Sequence, residues 1–382
     1  MAPLYRSQVL RVFRKNSLLI ALALILSLFL LHRFGKDSVT VARDGRLKLT
    51  LQFEQAEQGG GPAVRHDTAL DSLTVHLVIA ATASEDISWT SQLKLPGLEV
   101  IHYVADDRSA RYHPPANKGR EAMIYHNYFY DFYDLLPDIV ILTHAQDISW
   151  HMEPLLSHSV TFALSRLNLL AVMERGYANL RVSWDNACPA YINTTVKELE
   201  EESTREAFLA NFGSASGRPD EVPEILAQPC CSQFAVTRDA IRSVPRDHYA
   251  RYIKWLLDSN IEDSMLGRAW EHMFQWLFTK KAVDCPTEWR TYCKMYHICF
   301  DGKTEYEKYL HLDELRADLI DRYDVGILKT IWNWNFGTRK KDLVREINAI
   351  SQRISWLKQH AQVRGEKAFG RKISRQSLYL DD

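Results

Sequence analysis

Residues 144–151 follow a short apolar run at 138–143 and read His144-Ala145-Gln146-Asp147-Ile148-Ser149-Trp150-His151. Two imidazoles, a carboxylate, an amide and an indole thus come together at the end of an expected buried strand. His144 and Asp147 have the chemistry to ligate one metal ion. Trp150 offers a flat face to a sugar or a base, with His151 beside it as a substrate-binding candidate. Asp106 and Asp107 follow a second strand-like run at 99–105. Paired carboxylates there suit a hydrated divalent cation, Mn²⁺ or Mg²⁺, or a ribose hydroxyl; a solvated Asx turn is the plainer alternative. Asn117-Lys118-Gly119-Arg120-Glu121 opens an expected helix. A helix N-terminus flanked by Lys118 and Arg120 suits a diphosphate, and an ordinary capped helix explains the same residues, with Glu121 complementing the dipole. On a later helix, Glu271 is a general-base candidate if it faces a cleft. His272 is a proton carrier or metal ligand. The competing reading of that helix packs Trp270, Phe274 and Leu277 inward and leaves the polar residues unemployed.

The dinucleotide fingerprint GxGxxG, the P-loop, HExxH and the nucleophile elbow GxSxG are all missing from the sequence. The six cysteines are Cys188, Cys230, Cys231, Cys285, Cys293 and Cys299. Cys285, Cys293, His297 and Cys299 have spacings that a zinc site uses, but in an oxidising lumen a disulfide-stapled loop is the favoured reading. Adjacent Cys230 and Cys231 are not expected to bond to each other. A bridge from one of them to Cys188 would tie down the chain between them.

Elements must hold these residues in place. Runs at 73–81, 99–105, 138–143 and 232–237 read as strands, the first and third as buried ones. Helices are expected at 117–136, 160–175, 246–259, 263–279, 306–322 and 340–361, with 198–229 an insertion or long loop. Strands alternating with helices predict an α/β fold, a mostly parallel sheet with flanking helices. The 382 residues carry 47 Lys and Arg against 48 Asp and Glu, with 46% apolar residues. That balance excludes a disordered chain and a dedicated nucleic-acid binder, and the mean hydropathy of −0.27 excludes a polytopic membrane protein.

Residues 17–31 form an uncharged apolar run of fifteen, spanning about 22 Å as a helix. Flanking basic residues predict a single-pass signal anchor with 1–16 cytosolic and the remainder lumenal; a cleaved signal peptide is the alternative and would make the protein secreted. ER or Golgi membrane is the expected location. The sequon Asn193-Thr194-Thr195 makes Asn193 a glycosylation candidate, in keeping with a lumen where disulfides persist. Residues 32–72 read as a stem, 73–299 as the lumenal domain, 300–363 as a helical C-terminal extension and 364–382 as a basic, disordered tail.

Several stretches also carry a family resemblance: Glu85-Asp86-Ile87-Ser88-Trp89, Tyr103-Val104-Ala105-Asp106-Asp107, Asn117-Lys118-Gly119-Arg120-Glu121-Ala122 and Tyr133-Asp134-Leu135-Leu136-Pro137-Asp138. Trp150-His151, Gly176-Tyr177-Ala178-Asn179-Leu180-Arg181, Pro245-Arg246, Trp255-Leu256-Leu257 and Gly267-Arg268 continue it. The most specific is Cys230-Cys231-Ser232-Gln233-Phe234-Ala235-Val236-Thr237-Arg238. With these the chain resembles, over about 73–299, a fungal family of membrane-anchored or secreted proteins known only as a domain of unknown function, DUF 3431. The layout is similar to that of nucleotide-sugar glycosyltransferases of the A type. The resemblance implies a nucleotide-sugar donor near Asn117, Lys118 and Arg120, with Arg238 among the substrate-binding residues. Asp106, Asp107, His144 and Asp147 would hold a metal or ribose, and Glu271 would deprotonate a carbohydrate acceptor. His144-Ala145-Gln146-Asp147 departs from the Asp-x-Asp metal motif usual in such enzymes. Val182 stands where many members have a cysteine. A non-catalytic carbohydrate-binding protein and a secondary-metabolite tailoring enzyme are the other readings.

Overall fold

Strand β1 (Val75–Ala81) lies between β2 (Leu98–Val104) and β3 (Ile139–His144), parallel to both. Odd and even residues of β1 and β3 point to opposite faces: Val75, Leu77, Ile79, Ile139 and Ile141 enter one apolar core, Val78, Val140 and Leu142 the other. Coverage of both faces explains why these strands read as continuous apolar runs. The computed structural model describes residues 72–213, 221–329 and 336–370. The anticipated span at 17–31, the cytosolic segment 1–16 and nearly all of the stem lie outside them. Among the described residues no helix is long and apolar enough to cross a membrane.

The sheet order is β2-β1-β3-β7-β4, with β4 at Tyr177–Asn179 and β7 at Phe234–Thr237. β7 runs antiparallel to both neighbours. The sheet is therefore mixed, with two parallel and two antiparallel pairings, and not mostly parallel as expected. The reversal arises because the chain passes from β3 to the edge strand β4, then returns through the insertion to fill the gap between them. β5 (Ile192–Asn193) and β6 (Ile225–Leu226) form a small hairpin-like pair inside that insertion, which also contains helix α4 (Leu199–Phe212).

On one face, α1 (Arg120–Asp131) packs with α6 (Arg246–Asp258), α7 (Asp263–Glu271) and α8 (Phe274–Thr279). α1 begins later than the expected Asn117 because Gly119 and Arg120 both adopt positive φ, 73° and 54°, and the Gly119 N–H donates to Asp263 of α7. Short α5 (Arg238–Arg242) follows β7, capped by Thr237. The opposite face carries α2 (Val160–Arg166), α3 (Leu169–Arg175) and α9 (Glu288–Tyr296). The expected helix at 160–175 is split because Asn168 caps α3 with its side-chain oxygen while its amide N–H and side chain donate to Met295 and Lys294.

The C-terminal extension is part of this second face. α10 (Gly302–Lys329) contributes Tyr306 and Tyr309 to the core, and α11 (Phe336–Gly370) contributes Ile354, Leu357 and Ala361. Residues 364–370, expected to belong to a disordered tail, are instead part of α11; 371–382 lie outside the described residues. Cys293 and Cys299 close a loop against which α11 lies backbone to backbone: Cys299 N–H donates to Ala361 O and Arg364 Nε to Cys299 O. Gly365 permits this approach, because a Cβ there would sit 1.9 Å from His297 O. Gly365→Val is expected to undock α11 at a cost of more than about 3 kcal/mol. Thermal melting and limited proteolysis read this out: a lower midpoint with early cleavage in α11 is predicted, and an unchanged midpoint contradicts the docking.

Candidate functional site

Five strand ends share one edge of the sheet. Ala81, Val104 and His144 end β1, β2 and β3 there; Asn179 ends β4 there, and reversed β7 begins there at Phe234. The chain leaves β1 toward β2 on one side and returns to β3 on the other. This makes the β1/β3 gap a topological switch point, where open α/β sheets bind ligands.

His144 stands at that gap. Its Nε2 lies 3.8 Å from Glu121 Oε1, and the side chains are 22% and 16% exposed. Burial alone would raise the Glu121 carboxyl, but His144 and Ser232 beside it outweigh burial and hold it at about 2. Burial disfavours the His144 imidazolium, yet Glu121, with Glu271 and Glu85, raises its pKa above the ordinary histidine value. Both shifts favour an imidazolium facing a carboxylate, and no hydrogen bond joins the two: neither His144 Nε2 nor the buried Ser232 Oγ has a hydrogen-bond partner among the described residues. Gln233 Oε1 accepts from the His144 peptide N–H at 3.4 Å. His151 meets the His144 ring edge-to-face at 4.4 Å and lies 4.2 Å from Trp150, which is 68% exposed. Burial and the His144 charge push His151 down to about 4, so it is a neutral imidazole. Arg181 donates from Nη1 to Trp150 O and brings a second cation to this edge.

Glu271, the last residue of α7, completes the group. Burial raises its carboxyl, the nearby Glu121 charge raises it further, and the result stays elevated despite His272 and His144. Its Oε1 accepts from Cys231 N–H at 3.0 Å, and its carbonyl accepts from Gln228 Nε2 at 2.7 Å. A strongly acidic carboxylate, an imidazolium and an elevated carboxyl thus stand within one another's fields. Such a set has the chemistry to move protons to and from a bound hydroxyl.

A model of the family described as "Protein of unknown function (DUF3431)" matches residues 77–294, more than half of the 382 residues. The chain belongs to that family. The DUF3431 segment starts in β1 and ends in α9, so it contains every residue of the His144 cluster, whereas α10 and α11 fall outside it. No curated protein and no solved structure matches the chain.

Within the DUF3431 segment the other anticipated residues are scattered. The proposed metal set does not fit a metal centre. Asp106 is exposed and accepts from Ala83 N–H; it shares the His144 edge, but on β2 with β1 between them. Asp107 binds Ser109 in an Asx turn. Asp147 accepts from Ser159 Oγ and Thr161 N–H and so braces the start of α2. Among the described residues the only three metal-ligating side chains close together are Cys230, Cys231 and Glu271, and the two sulfurs are bonded to each other. The expected anion site is already filled from within: Asp263 takes the Gly119 N–H and faces Arg120 at 3.7 Å. Lys118 caps the end of α6 through Leu257 O and Ser259 O; Asn117 is exposed beside it. Arg238 lies at the opposite edge of the sheet, bound to Asp138 and Leu136 O. His272 turns away from the His144 cluster toward Glu200, whose other oxygen binds Arg268.

All six cysteines are bridged: Cys188–Cys285, Cys230–Cys231 and Cys293–Cys299. The adjacent pair bonds to itself, contrary to expectation, and Cys188 reaches Cys285 instead of either member. The zinc alternative at 285–299 is thereby excluded, since no thiolate is available and His297 stacks on Phe369 at 3.9 Å. Asn193 is partly exposed on β5, its Oδ1 accepting from Thr195 N–H and Oγ. Sequence reasoning missed Glu121 as a site residue, and with it Arg181, Ser232 and Gln233. The family stretches contain all four but give no sign that they meet.

Proposed function

We propose that the domain is a glycosyltransferase-like enzyme working at the His144 edge, with a nucleotide-sugar as donor and a carbohydrate as acceptor. The observation that carries this reading is the Glu121–His144 pair at the switch point, set beside a carboxyl with an elevated pKa. In this reading Glu271 is the general base. The acceptor hydroxyl gives Glu271 its proton as its oxygen bonds to the anomeric carbon, while the bond to the departing diphosphate breaks. A base with a raised pKa works closer to operating pH. The His144 imidazolium and Arg181 are the cations available to stabilise the leaving diphosphate. Trp150 supplies an exposed ring on which a sugar or base stacks. The mixed α/β sheet supports the comparison with A-type glycosyltransferases at the level of fold analogy. The disulfides support a lumenal or extracellular setting, in keeping with a membrane-anchored ER or Golgi protein.

The test is calorimetric titration of the full chain with UDP- and GDP-sugars, with and without Mn²⁺, followed by measurement of nucleoside diphosphate release in the presence of acceptor sugars. Binding and release with at least one donor are expected. Binding without turnover under any acceptor selects the non-catalytic carbohydrate-binding reading, for which exposed Trp150 speaks. Failure of every donor to bind removes the proposal.

A further inference from the structure

We infer that the Cys230–Cys231 disulfide is a positioning element for Glu271: it fixes the Cys231 peptide so that its N–H is aimed at the Glu271 carboxyl. This rests on the reading of Glu271 as the general base. The bond between adjacent cysteines closes a ring made of both Cα, Cβ and Sγ atoms and the peptide carbon and nitrogen between them. The φ angle of Cys231 turns about its N–Cα bond, which is one bond of that ring, so closing the ring restricts it. It stands at 82°, in the left-handed region that residues with a Cβ avoid. At that angle Cys231 N–H donates to Glu271 Oε1 at 3.0 Å, and Cys230 Sγ lies 3.6 Å from the same oxygen.

The chain on either side is held independently. Asn179 Nδ2 donates to Pro229 O at 2.8 Å and to Cys231 O at 3.0 Å, and Tyr125 OH donates to Ser232 O at 2.9 Å. The flanks therefore stay in place without the ring, and the peptide between the cysteines is the part the ring decides. Both cysteines are buried in a small apolar cluster with Ala187, against which Tyr191 packs. No solvent-facing role competes for the pair. An N–H donated to a carboxylate stabilises its charged form. The ring thus opposes the burial that raises Glu271 and keeps its pKa from climbing further.

The test measures Glu271 ionisation by ¹³C carboxyl NMR of the full chain, assigned with Glu271→Gln. In Cys230→Ala/Cys231→Ala the ring is gone and Cys231 is free to return to negative φ. The apparent pKa of Glu271 is expected to rise by about 1, the size of one lost hydrogen bond to a charged group. In Cys230→Ala/Cys231→Gly the ring is also absent, but glycine adopts positive φ freely, and most of that rise is expected to be reversed. A merely structural disulfide would give both variants the same ionisation. Equal values in the two variants, or a parent-like value in the alanine pair, overturn the inference. If the alanine pair does not fold, the glycine pair decides alone: parent-like ionisation supports the inference and displaced ionisation overturns it. The readout is ionisation and not turnover, so it stands or falls separately from the transferase reading.

Discussion

Glu271→Gln is expected to lower turnover about 10²–10⁴-fold, the range for losing a positioned general base. The substitution keeps the shape of the side chain and an oxygen for the Cys231 N–H, so the fold and the neighbouring disulfide should survive. Substrate binding should change little, because the amide removes proton transfer and not a recognition contact. The loss should therefore fall on kcat, with KM nearly unchanged. The pH profile gives a second handle. In the parent, activity is expected to rise with pH through the ionisation of Glu271, whose pKa lies above the ordinary carboxyl value. In the variant that acid limb should vanish, leaving a low and flatter profile. A variant with parental kcat would remove Glu271 from the chemistry, whatever else the site does.

The second large effect is on stability at low pH. His126 is fully buried on α1, its ring centroid 4.0 Å from that of Trp270, and neither nitrogen has a hydrogen-bond partner among the described residues. Burial pushes its pKa from 6.5 to about 3. A group depressed in the folded state contributes stability that is complete above the unfolded pKa and is lost as pH falls through the folded one. For His126 the window runs from 6.5 down to about 3. Between neutrality and pH 5 the loss is about 2 kcal/mol. His151 and His297, each pushed down to about 4, act in the same direction. His144 acts in the opposite one: its raised pKa favours the fold below 6.5 and that contribution fades as pH rises past the folded value. His126→Phe isolates the first contribution, since phenylalanine suits an aromatic pocket and titrates nowhere. The variant should match or exceed the parent in stability at pH 7.5, because two unsatisfied nitrogens are gone. Its advantage should grow by about 2 kcal/mol at pH 5. Urea unfolding of both proteins at the two pH values measures this, and parallel pH dependences would show that His126 does not titrate as its burial requires.

How much of this was legible in the sequence follows from what each feature depends on. The strands were, because a layer covered on both faces writes continuous apolar runs. The direction of β7 was not, since four residues, three of them apolar, carry no sign of which way they run. The position of Arg238 turns on that direction. Had β7 been parallel to β3, Arg238 would follow its end at the His144 edge; because β7 is reversed, Arg238 lies at the other edge beside Asp138. The split between α2 and α3 depends on Asn168 reaching α9, more than a hundred residues away in the chain. His144, His151, Trp150 and Glu271 were each legible as chemistry-bearing residues at element ends, and the fold brings them together. Glu121 read as a complement to a helix dipole. Its role as the partner of His144 depends on α1 lying over the end of β3, which no local pattern encodes. Adjacency in sequence argues against a Cys230–Cys231 bond, yet the bond is present, with Cys231 at positive φ.

On the proposed function, ligand binds at the His144 edge. Histidine-selective NMR of the full chain, which contains 14 histidines, tests it most directly during titration with UDP- and GDP-sugars. The ring resonances of His144 and His151 are expected to move with a binding donor, while those of buried His126 hold still. A donor that binds and shifts other histidines but leaves His144 and His151 unmoved would contradict it.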